Sequence, residues 1–216
     1  MKYQKVILAV LFCSIFSVIS CHGQNTNQIV GGPCQGCEAL FEYGSKKLTT
    51  VDTLPDFANL PAGEAGAKLK LKLTGTVFKK DGKTPAKNVI LYIYHTNRQG
   101  IYAAKSNAKG WAKRHGYLRG WVKTDETGRY TFYTFRPGAY PNRAESEHIH
   151  LTVKEPSKNE YYMDSFAFDD DPLLTIEKRK RLEKRGGSGI VKPTLENGII
   201  TCKRDIILGA HIPNYE

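Results

Sequence analysis

Leu69-Lys70-Leu71-Lys72-Leu73-Thr74-Gly75-Thr76-Val77-Phe78 is the stretch that decides the fold of this 216-residue chain. Its leucines alternate with lysines, and a period of two is typical of a β-strand with one buried face. The strand ends before Asp81-Gly82, a pair that favours a turn. One half-buried strand cannot cover its own apolar face, so the pattern predicts a body built from several strands.

Similar stretches follow along the chain at short intervals. They are Val89–His95, Tyr117–Lys123, Tyr130–Phe135, His148–Val153, Tyr161–Phe168 and Gly198–Leu208. Turn-forming residues separate them, for example in the segments 125–128, 156–157 and 196–198. Short strands with such turns indicate a sandwich of two sheets. We therefore predict an all-β fold, an immunoglobulin-like β-sandwich, with 40% hydrophobic residues to fill its core.

A short helix is predicted in the basic run Glu177–Arg185. Asp171-Pro172 precedes the run as a predicted N-cap and first-turn proline, and Gly186-Gly187 ends it. Charges of both signs without interleaved aromatic rings are typical of a solvated face rather than of a nucleic-acid site. We therefore expect no nucleic-acid partner, although the formal net charge of the chain is +11.

The first twenty residues have the composition of a secretory signal. Lys2 and Lys5 precede the apolar run Val6–Ile19, which is too short for a comfortable membrane span. The run ends at Ser20-Cys21, which resembles the lipobox of bacterial lipoproteins, where the cysteine becomes the lipid attachment site. Cleavage a few residues later, without a lipid, is the alternative. We expect export to the bacterial cell envelope, as a periplasmic or outer-membrane lipoprotein held at the membrane through Cys21.

The predicted domains are a signal peptide at 1–20, an N-terminal tether at 21–66 and the sandwich at 67–216. Beyond the lipid site, the exported part contains three cysteines, Cys34, Cys37 and Cys202. Three cysteines allow one disulfide, which an oxidising compartment favours, but the sequence does not choose the pairing. We predict a structural staple rather than a redox or zinc site.

Two tyrosines and two histidines form the predicted functional site. On a β-strand alternate side chains face the same way, so His148 and His150 point to one side while Ile149 points into the core. An isolated tyrosine is usually a packing residue, and an HxH pair is more often an exposed strand face than a ligand pair. Taken with Tyr102 and Tyr140, however, the pair supplies two phenols and two imidazoles, which together make a metal site.

Several motifs occur together in an order that is similar to one protein family. They are His95-Thr96-Asn97-Arg98-Gln99-Gly100-Ile101-Tyr102, Leu118-Arg119-Gly120, Thr124-Asp125-Glu126-Thr127-Gly128-Arg129-Tyr130-Thr131-Phe132, Pro137-Gly138-Ala139-Tyr140-Pro141 and His148-Ile149-His150. In this order they resemble the intradiol ring-cleavage dioxygenases, and the resemblance runs from Lys68 to Tyr215. It implies a β-sandwich that binds one mononuclear non-haem Fe(III) ion. The implied ligands are Tyr102, Tyr140, His148 and His150.

The resemblance also implies the reaction. A small aromatic diol of the catechol type and O2 are the expected substrates, and the ring opens between its two hydroxylated carbons to give a muconate-type diacid. Tyr140 is the expected catalytic residue, because the diol displaces it from the metal and passes a proton to the departing group. A phenol has an unperturbed pKa near 10, so it needs a strong Lewis acid to ionise, and as a hard donor it stabilises ferric iron.

This chain departs from the family pattern on the substrate side. Glu145 stands three residues before the first histidine, where the family carries an arginine, so the electrostatic sign is reversed. We hypothesise that Arg143 is the substitute cation. Met163 stands near the family's substrate-side glutamine, and His95 is expected to support the site without binding iron. The oligomeric state stays open.

Two alternatives remain at the level of sequence. Leu73–Phe78 and Val89–Tyr92 also resemble carboxypeptidase-regulatory or transthyretin-like modules, which act in binding and carry no iron. The same four residues could also face zinc, although the usual ligands of zinc are Cys, His and carboxylate. Away from the site, we predict that Trp111 and Trp121 are packing or pocket-wall residues and that His115 lies in a polar loop.

Overall fold

The computed structural model describes residues 29–61 and 69–216, which form two β-sheets with little helix. The strands are β1 Val51–Thr53, β2 Lys70–Phe78, β3 Ile90–Tyr94, β4 Arg119–Lys123, β5 Arg129–Phe135, β6 His148–Lys154, β7 Tyr161–Phe168, β8 Ile190–Val191, β9 Thr194–Glu196, β10 Ile199–Lys203 and β11 Ile206–Ile207. The helices are a 3₁₀ helix at Cys37–Phe41, α1 at Ala112–His115 and α2 at Ile176–Arg181. The predicted all-β fold is confirmed, and its immunoglobulin-like character stays a prediction.

The two sheets share one apolar core. One sheet has the order β1-β5-β2-β10-β9, with β11 also paired to β2, and the other has the order β4-β3-β6-β7-β8. In the first sheet Leu73 lies opposite Phe132, and in the second Ile93 lies opposite Leu151. All four side chains are buried in a single cluster. Burying one such side chain contributes about 1.5–3 kcal/mol. The leucines that alternate along β2 therefore help to hold the first sheet against the second.

The other face of the five-stranded sheet is aromatic. Tyr92 on β3 and Trp121 on β4 are paired in register, and their ring centroids lie 4.9 Å apart. The 3₁₀ helix buries Ala39 and Leu40 against these two rings. Trp121 is a packing residue here, as predicted, and the segment that covers it forms a second, smaller apolar cluster on the outside of the sheet.

The described part of the predicted tether belongs to the folded body. β1 lies in it and pairs in parallel with β5. Cys34 and Cys37 form a disulfide that closes a single turn, while Cys202 is a buried free thiol. The predicted signal peptide 1–20 and lipid site Cys21 lie outside the described residues. Within the described ranges, no helix has the length and apolar character that a membrane crossing needs.

The predicted strand Gly198–Leu208 is divided into β10 and β11, with Arg204 between them. The buried guanidinium of Arg204 donates to the carbonyl oxygens of Asp164, at 2.6 Å, and Arg185, at 3.2 Å. A Cβ on Gly75 of β2 would lie only 1.8 Å from the Arg204 carbonyl oxygen. The strand is interrupted at Arg204, where the backbone contacts Gly75 and the side chain turns inward. An alternation pattern does not reveal such an interruption.

The basic helix forms, but it begins after the predicted N-cap Asp171 and ends at Arg181, before the predicted stop at Gly186. Thr175 is its N-cap, because the Thr175 hydroxyl accepts a hydrogen bond from the N–H of Lys178 at 3.4 Å. Asp171, the predicted N-cap, is buried and accepts from the N–H of Glu147 at 2.6 Å. The prediction for Asp171 is therefore wrong, since its carboxylate fastens the turn after β7 to the start of β6 instead of capping a helix.

Tyr130 provides a test of how the last strands are fastened. Its ring is fully buried, and its hydroxyl donates to the Arg204 carbonyl oxygen at 2.7 Å. Tyr130→Phe removes this donor from a buried carbonyl, so we expect the free energy of unfolding in urea to fall by about 1–3 kcal/mol. Tyr133→Phe is the control, because within the described residues the Tyr133 hydroxyl has no hydrogen bond. An equal loss of stability in both variants would contradict this account.

Candidate metal centre

Strand β6 carries the two histidines on its outer face. His148 and His150 are partly buried, while Ile149 between them is fully buried in the core. The Nδ1 atom of His148 lies 2.7 Å from the Ser146 carbonyl oxygen, which can only accept a hydrogen bond. Nδ1 must therefore carry the proton, and Nε2 of the neutral ring presents a lone pair to the site.

A β-bulge shapes β6 at the second histidine. Ile149 pairs with Phe166 and Leu151 pairs with Met163, so His150 alone faces two residues of β7. A bulge increases the local twist and changes the direction of a side chain. The imidazole of His150 is thus aimed by the pairing of β6 with β7 and not by alternation alone.

Two loops bring the tyrosines to the histidines. Gly100 precedes Tyr102 and has a φ of +77°, and a Cβ on it would lie 1.9 Å from the Ala139 carbonyl oxygen. The N–H of Gly138 donates to the carbonyl oxygen of Asn97 at 3.0 Å. The two backbones touch because Gly100 has no side chain to separate them and tolerates a positive φ. This contact sets the separation of the two phenols.

The four side chains end at one place. The hydroxyl oxygen of Tyr102 lies 2.8 Å from the hydroxyl oxygen of Tyr140 and 2.8 Å from Nε2 of His150. The hydroxyl oxygen of Tyr140 lies 3.3 Å from Nε2 of His148, and the two Nε2 atoms are 3.2 Å apart. Two oxygens and two nitrogens thus form a closed ring. We call these four atoms the donor ring.

The donor ring fits a metal ion. Ligand atoms about 2.0 Å from an ion, at right or tetrahedral angles to one another, lie about 2.8–3.3 Å apart. Two bare imidazole nitrogens 3.2 Å apart repel unless a cation or a proton lies between them. Phenol oxygens are hard donors, which favours ferric iron over zinc. In the parts of the chain that the structure describes, no group of three or more His, Cys, Asp or Glu side chains offers another metal site.

Burial favours the uncharged forms of two members of the donor ring, Tyr102 and His150. It raises the pKa of the Tyr102 phenol, and the hydrogen bond with Tyr140 raises it further. It lowers the pKa of His150 well below its usual range, with a smaller contribution from His148. A trivalent ion reverses the balance at the tyrosine, because it favours the ionised phenol as metals favour ionised thiols and water.

An aromatic stack supports His150. Tyr94 lies directly opposite His150 in the pairing of β3 with β6, and the two rings are 4.4 Å apart and inclined by 14°. Tyr94 also stacks on His115 at 3.8 Å, and Nδ1 of His115 lies 2.9 Å from the Tyr92 hydroxyl. His115 is buried on α1, so the prediction of a polar loop there is wrong. Sequence reasoning missed this stack, although the alternation of Tyr92 and Tyr94 along β3 was its signal.

His95 lies outside the donor ring, in the interior between the sheets. It is fully buried, with Nε2 2.7 Å from the Thr134 hydroxyl and Nδ1 2.7 Å from the Thr96 carbonyl oxygen. The Thr96 hydroxyl donates in turn to the Gly138 carbonyl oxygen at 2.8 Å. His95 therefore ties β5 to the loop that carries Tyr140, which is a supporting position.

A cleft of about 630 Å³ gives access to the donor ring. Tyr140, His148 and His150 line it, and Tyr102 does not. On another side, His150 borders a smaller cavity of about 270 Å³ that the Cys34–Cys37 turn helps to enclose. Three of the four donor residues are thus open to a small molecule, and Tyr102 lies behind them.

The residues predicted on the substrate side are divided between the cleft and the surface. Glu145 and Met163 line the cleft. Arg143 is exposed and is not among the lining residues, and its backbone, with a φ of +53°, donates a hydrogen bond to the Tyr140 carbonyl oxygen at 2.7 Å. In this structure Arg143 shapes the turn after Tyr140, and its role as a cation toward the substrate stays a hypothesis.

Comparison with known proteins gives one family match. The model of a family described as "Dioxygenase" matches residues 50–182, which is more than half of the chain. The chain is 30% identical over 123 residues to the protocatechuate 3,4-dioxygenase beta chain of Burkholderia cepacia, covering 54% of this chain and 50% of that protein. It is 28% identical over 190 residues to catechol 1,2-dioxygenase 1 of Acinetobacter lwoffii, covering 76% of this chain and 56% of that protein. The chain thus spans about half the length of these relatives.

The fold is also similar to a solved structure. Wild-type catechol 1,2-dioxygenase from Acinetobacter radioresistens superposes with a TM-score of 0.54 at 16% identity, covering 81% of this chain and 62% of the other. At that identity the likeness concerns the fold alone. It agrees with the two-sheet architecture that the strand pairings define.

Tyr102→Phe tests the donor ring. The variant keeps the ring of the side chain but loses one of the two hard oxygens, so we expect its affinity for Fe(III) to fall by more than about tenfold. Metal analysis and visible absorption of the ferric protein measure the change. Tyr162→Phe is the matched control, because Tyr162 lines the same cleft, is not part of the donor ring and has its hydroxyl 3.3 Å from the Glu183 carboxylate. Equal iron content in both variants and the parent would show that the ring is not a metal site.

His95 gives a pH dependence of stability. Burial lowers the pKa of His95 to about 4 in the folded chain, whereas an unfolded histidine titrates near 6.5. The neutral imidazole thus contributes stability that is complete above about pH 6.5 and is lost as the pH falls toward 4, by at most about 3 kcal/mol. We expect His95→Gln to flatten the decline of the unfolding free energy of the metal-free protein in this range. His211→Gln, at an exposed histidine, should keep the parent's slope, and a parental slope in His95→Gln would contradict the assignment.

Proposed function

Because the chain belongs to the intradiol ring-cleavage dioxygenase family, we propose that it is a non-haem Fe(III) dioxygenase that opens a catechol-type ring between its two hydroxylated carbons. The observation that carries this proposal is the convergence of two phenol oxygens and two imidazole nitrogens within 2.8–3.3 Å of one another. The reaction is balanced without another reductant, because the diol and one O2 together have the composition of the muconate-type diacid.

Each member of the donor ring has a defined part in holding the ion. The hydroxyl oxygens of Tyr102 and Tyr140 and the Nε2 atoms of His148 and His150 would bind it. Ferric iron, when bound, supplies the Lewis acidity that ionises the diol and makes its ring reactive toward O2. The carbonyl oxygen of Ser146 supports this role, because it holds the proton of His148 on Nδ1 and leaves Nε2 free.

The two tyrosines have different surroundings, which supports different roles. Tyr140 lines the cleft, whereas Tyr102 does not line it and tilts against Tyr94 with ring centroids 5.8 Å apart. We therefore assign to Tyr140 the role of the metal ligand that the diol displaces. Its phenolate oxygen would accept a proton from the diol. Tyr102 stays in place, since its ring has less room to move.

Other residues of the chain fix the orientation of the His150 imidazole and give the cleft an apolar wall. Tyr94 stacks on His150 and keeps its imidazole plane fixed while the ligand set changes. Met163 and Leu174 supply apolar wall to the cleft, so the diol ring has surface to pack against. The alternative of a non-enzymatic carboxypeptidase-regulatory or transthyretin-like module gains no support from these contacts, because such a module does not need four convergent donor atoms.

The proposal extends to location. The apolar run Val6–Ile19 and the following Ser20-Cys21 support export and a lipid anchor on the cell envelope. An enzyme at that place would meet aromatic diols that come from outside the cell.

Tyr140→Phe tests the assigned chemistry. Incubation of the iron-loaded parent with a catechol and ¹⁸O2 should give a diacid that contains both labelled atoms. Tyr140→Phe keeps the ring but cannot accept the diol proton, so we expect kcat per bound iron to fall by about hundredfold or more. Mass spectrometry of the product and oxygen-consumption rates provide the two measurements.

Tyr162→Phe is again the matched control and should keep the parent's rate per iron. A product that carries one labelled atom, or cleavage beside rather than between the hydroxylated carbons, would contradict the proposed reaction. An unchanged rate in Tyr140→Phe at equal iron content would remove the role given to Tyr140.

A further inference from the structure

The Cys34–Cys37 disulfide borders a cavity beside the donor ring. Both cysteines line the cavity of about 270 Å³, and Tyr94 of β3 and His150 of β6 line it as well. The Sγ atom of Cys37 lies 3.9 Å from the hydroxyl oxygen of Thr152, which is also on β6. The turn that the disulfide closes thus covers the space next to one of the four donors.

A series of contacts joins this turn to His150. Gly36, between the two cysteines, has a φ of +89°, and a Cβ on it would lie 3.0 Å from the Nε2 atom of His115. The His115 ring stacks on Tyr94 at 3.8 Å, and Tyr94 stacks on His150 at 4.4 Å. The backbone of the turn therefore packs against the aromatic stack that supports His150, and a change in the turn can reach a donor.

The segments on both sides of the turn are fastened without the disulfide. Before the turn, the N–H of Gly31 donates to the Pro213 carbonyl oxygen at 2.7 Å, and the buried guanidinium of Arg185 donates to the Gly31 carbonyl oxygen at 3.0 Å. After the turn, Ala39 and Leu40 are fully buried in the second apolar cluster. Opening the disulfide would therefore free the short segment 32–36 and leave the sheets folded.

The position of the bridge suits thiol exchange better than global stabilisation. The two cysteines are three positions apart, and a cross-link restricts the unfolded chain least when the loop is this short. Cys37 is buried, but Cys34 is partly exposed, so a thiol in solution can reach one sulfur. Cys202 is fully buried, and burial raises the pKa of its thiol to about 12. Among the described cysteines, the Cys34–Cys37 pair is therefore the reactive one.

We propose that the Cys34–Cys37 disulfide is a redox-active site that a dithiol reduces reversibly, and that its reduction uncovers the cavity beside His150. One thiolate of the dithiol attacks the Cys34 sulfur, and Cys37 leaves and takes up a proton. The second thiol of the reductant then displaces Cys34, which takes up a proton in turn, and the reductant becomes a disulfide. Two electrons and two protons pass to the two cysteines as the bond between their sulfurs breaks.

Reduction has a consequence at the donor ring. With the turn free, water enters the cavity, and His115 loses the backbone of Gly36 that packs against it. The stack then holds the His150 imidazole less firmly. Residues that orient a metal ligand typically change metal affinity by about 10- to 100-fold, so the reduced protein should hold the ion less tightly. This consequence for the ion rests on the proposed function, whereas the thiol exchange does not.

Alkylation of the metal-free protein tests the exchange. The native protein is treated with dithiothreitol, the thiols are blocked with iodoacetamide, and mass spectrometry locates the modified residues. We expect Cys34 and Cys37 to be modified within about an hour and Cys202 to stay unmodified. Cys202→Ala is the matched control and should give the same two modifications. A disulfide that dithiothreitol opens only in urea would overturn the proposal, because it would be a structural staple.

Histidine signals show whether the opening reaches the donor ring. In metal-free protein that carries ¹³C at Cε1 of histidine, we expect the NMR signals of His115 and His150 to shift on reduction. The signal of the exposed His211 should stay in place. The double variant Cys34→Ser/Cys37→Ser should give the shifted spectrum without any reductant. An unshifted His150 signal in both samples would overturn the connection between the turn and the donor ring.

The double variant also permits a measurement with iron, because no reductant is then present to reduce the metal. We expect it to lose Fe(III) to a chelator about tenfold faster than the parent does. Gln35→Ala changes an exposed residue of the same turn but keeps the disulfide, and it should release iron at the parent's rate. Equal release from the double variant and the parent would contradict the effect on the ion. If the parent binds no Fe(III), the proposed function fails, and the alkylation and the histidine signals still decide this inference.

Discussion

The contact between two loops is the constraint on which the site depends. β6 presents its histidines by strand alternation, but the two phenols come from segments 38 positions apart in the chain, and their oxygens still meet at 2.8 Å. The loops can approach this closely because Gly100 presses its backbone against Ala139 and adopts a positive φ. Any side chain at Gly100 would push the loops apart by more than the donor ring tolerates. The chemistry therefore rests on a backbone contact that no donor residue makes itself.

Burial gives the donor ring its electrostatic character. Without an ion, the phenol of Tyr102 and the imidazole of His150 both stay neutral, because the interior disfavours their charged forms. The same poorly screened surroundings strengthen the attraction of ionised oxygens to a cation. One trivalent ion can then offset the repulsion between the two Nε2 atoms and ionise the phenols. The same arrangement of four atoms therefore suits a neutral Tyr102 and His150 without an ion and would also suit one bound cation.

Sequence patterns predicted the parts that depend on local periodicity. The alternation on β2 and the HxH spacing on β6 gave the buried face and the direction of His148, because a strand fixes both. The aromatic stack of Tyr94 on His115 was missed, since it depends on α1 folding back over the sheet from a later part of the chain. The cap of α2 was assigned to Asp171, which tertiary structure uses for another bond. Local propensities do not include the long-range contacts that compete for a side chain such as Asp171.

The cleft has walls of two kinds. Strands β6 and β7 and the loop of Tyr140 form one side together with the donors, whereas α2, which lies outside the sheets, forms another. Segments of this kind can change without moving a strand. Lys178 and Arg181 border the cleft from α2, whereas Glu145 borders it from the loop that leads into His148. The charge on the α2 side of the cleft can therefore differ while the geometry of the donors stays the same.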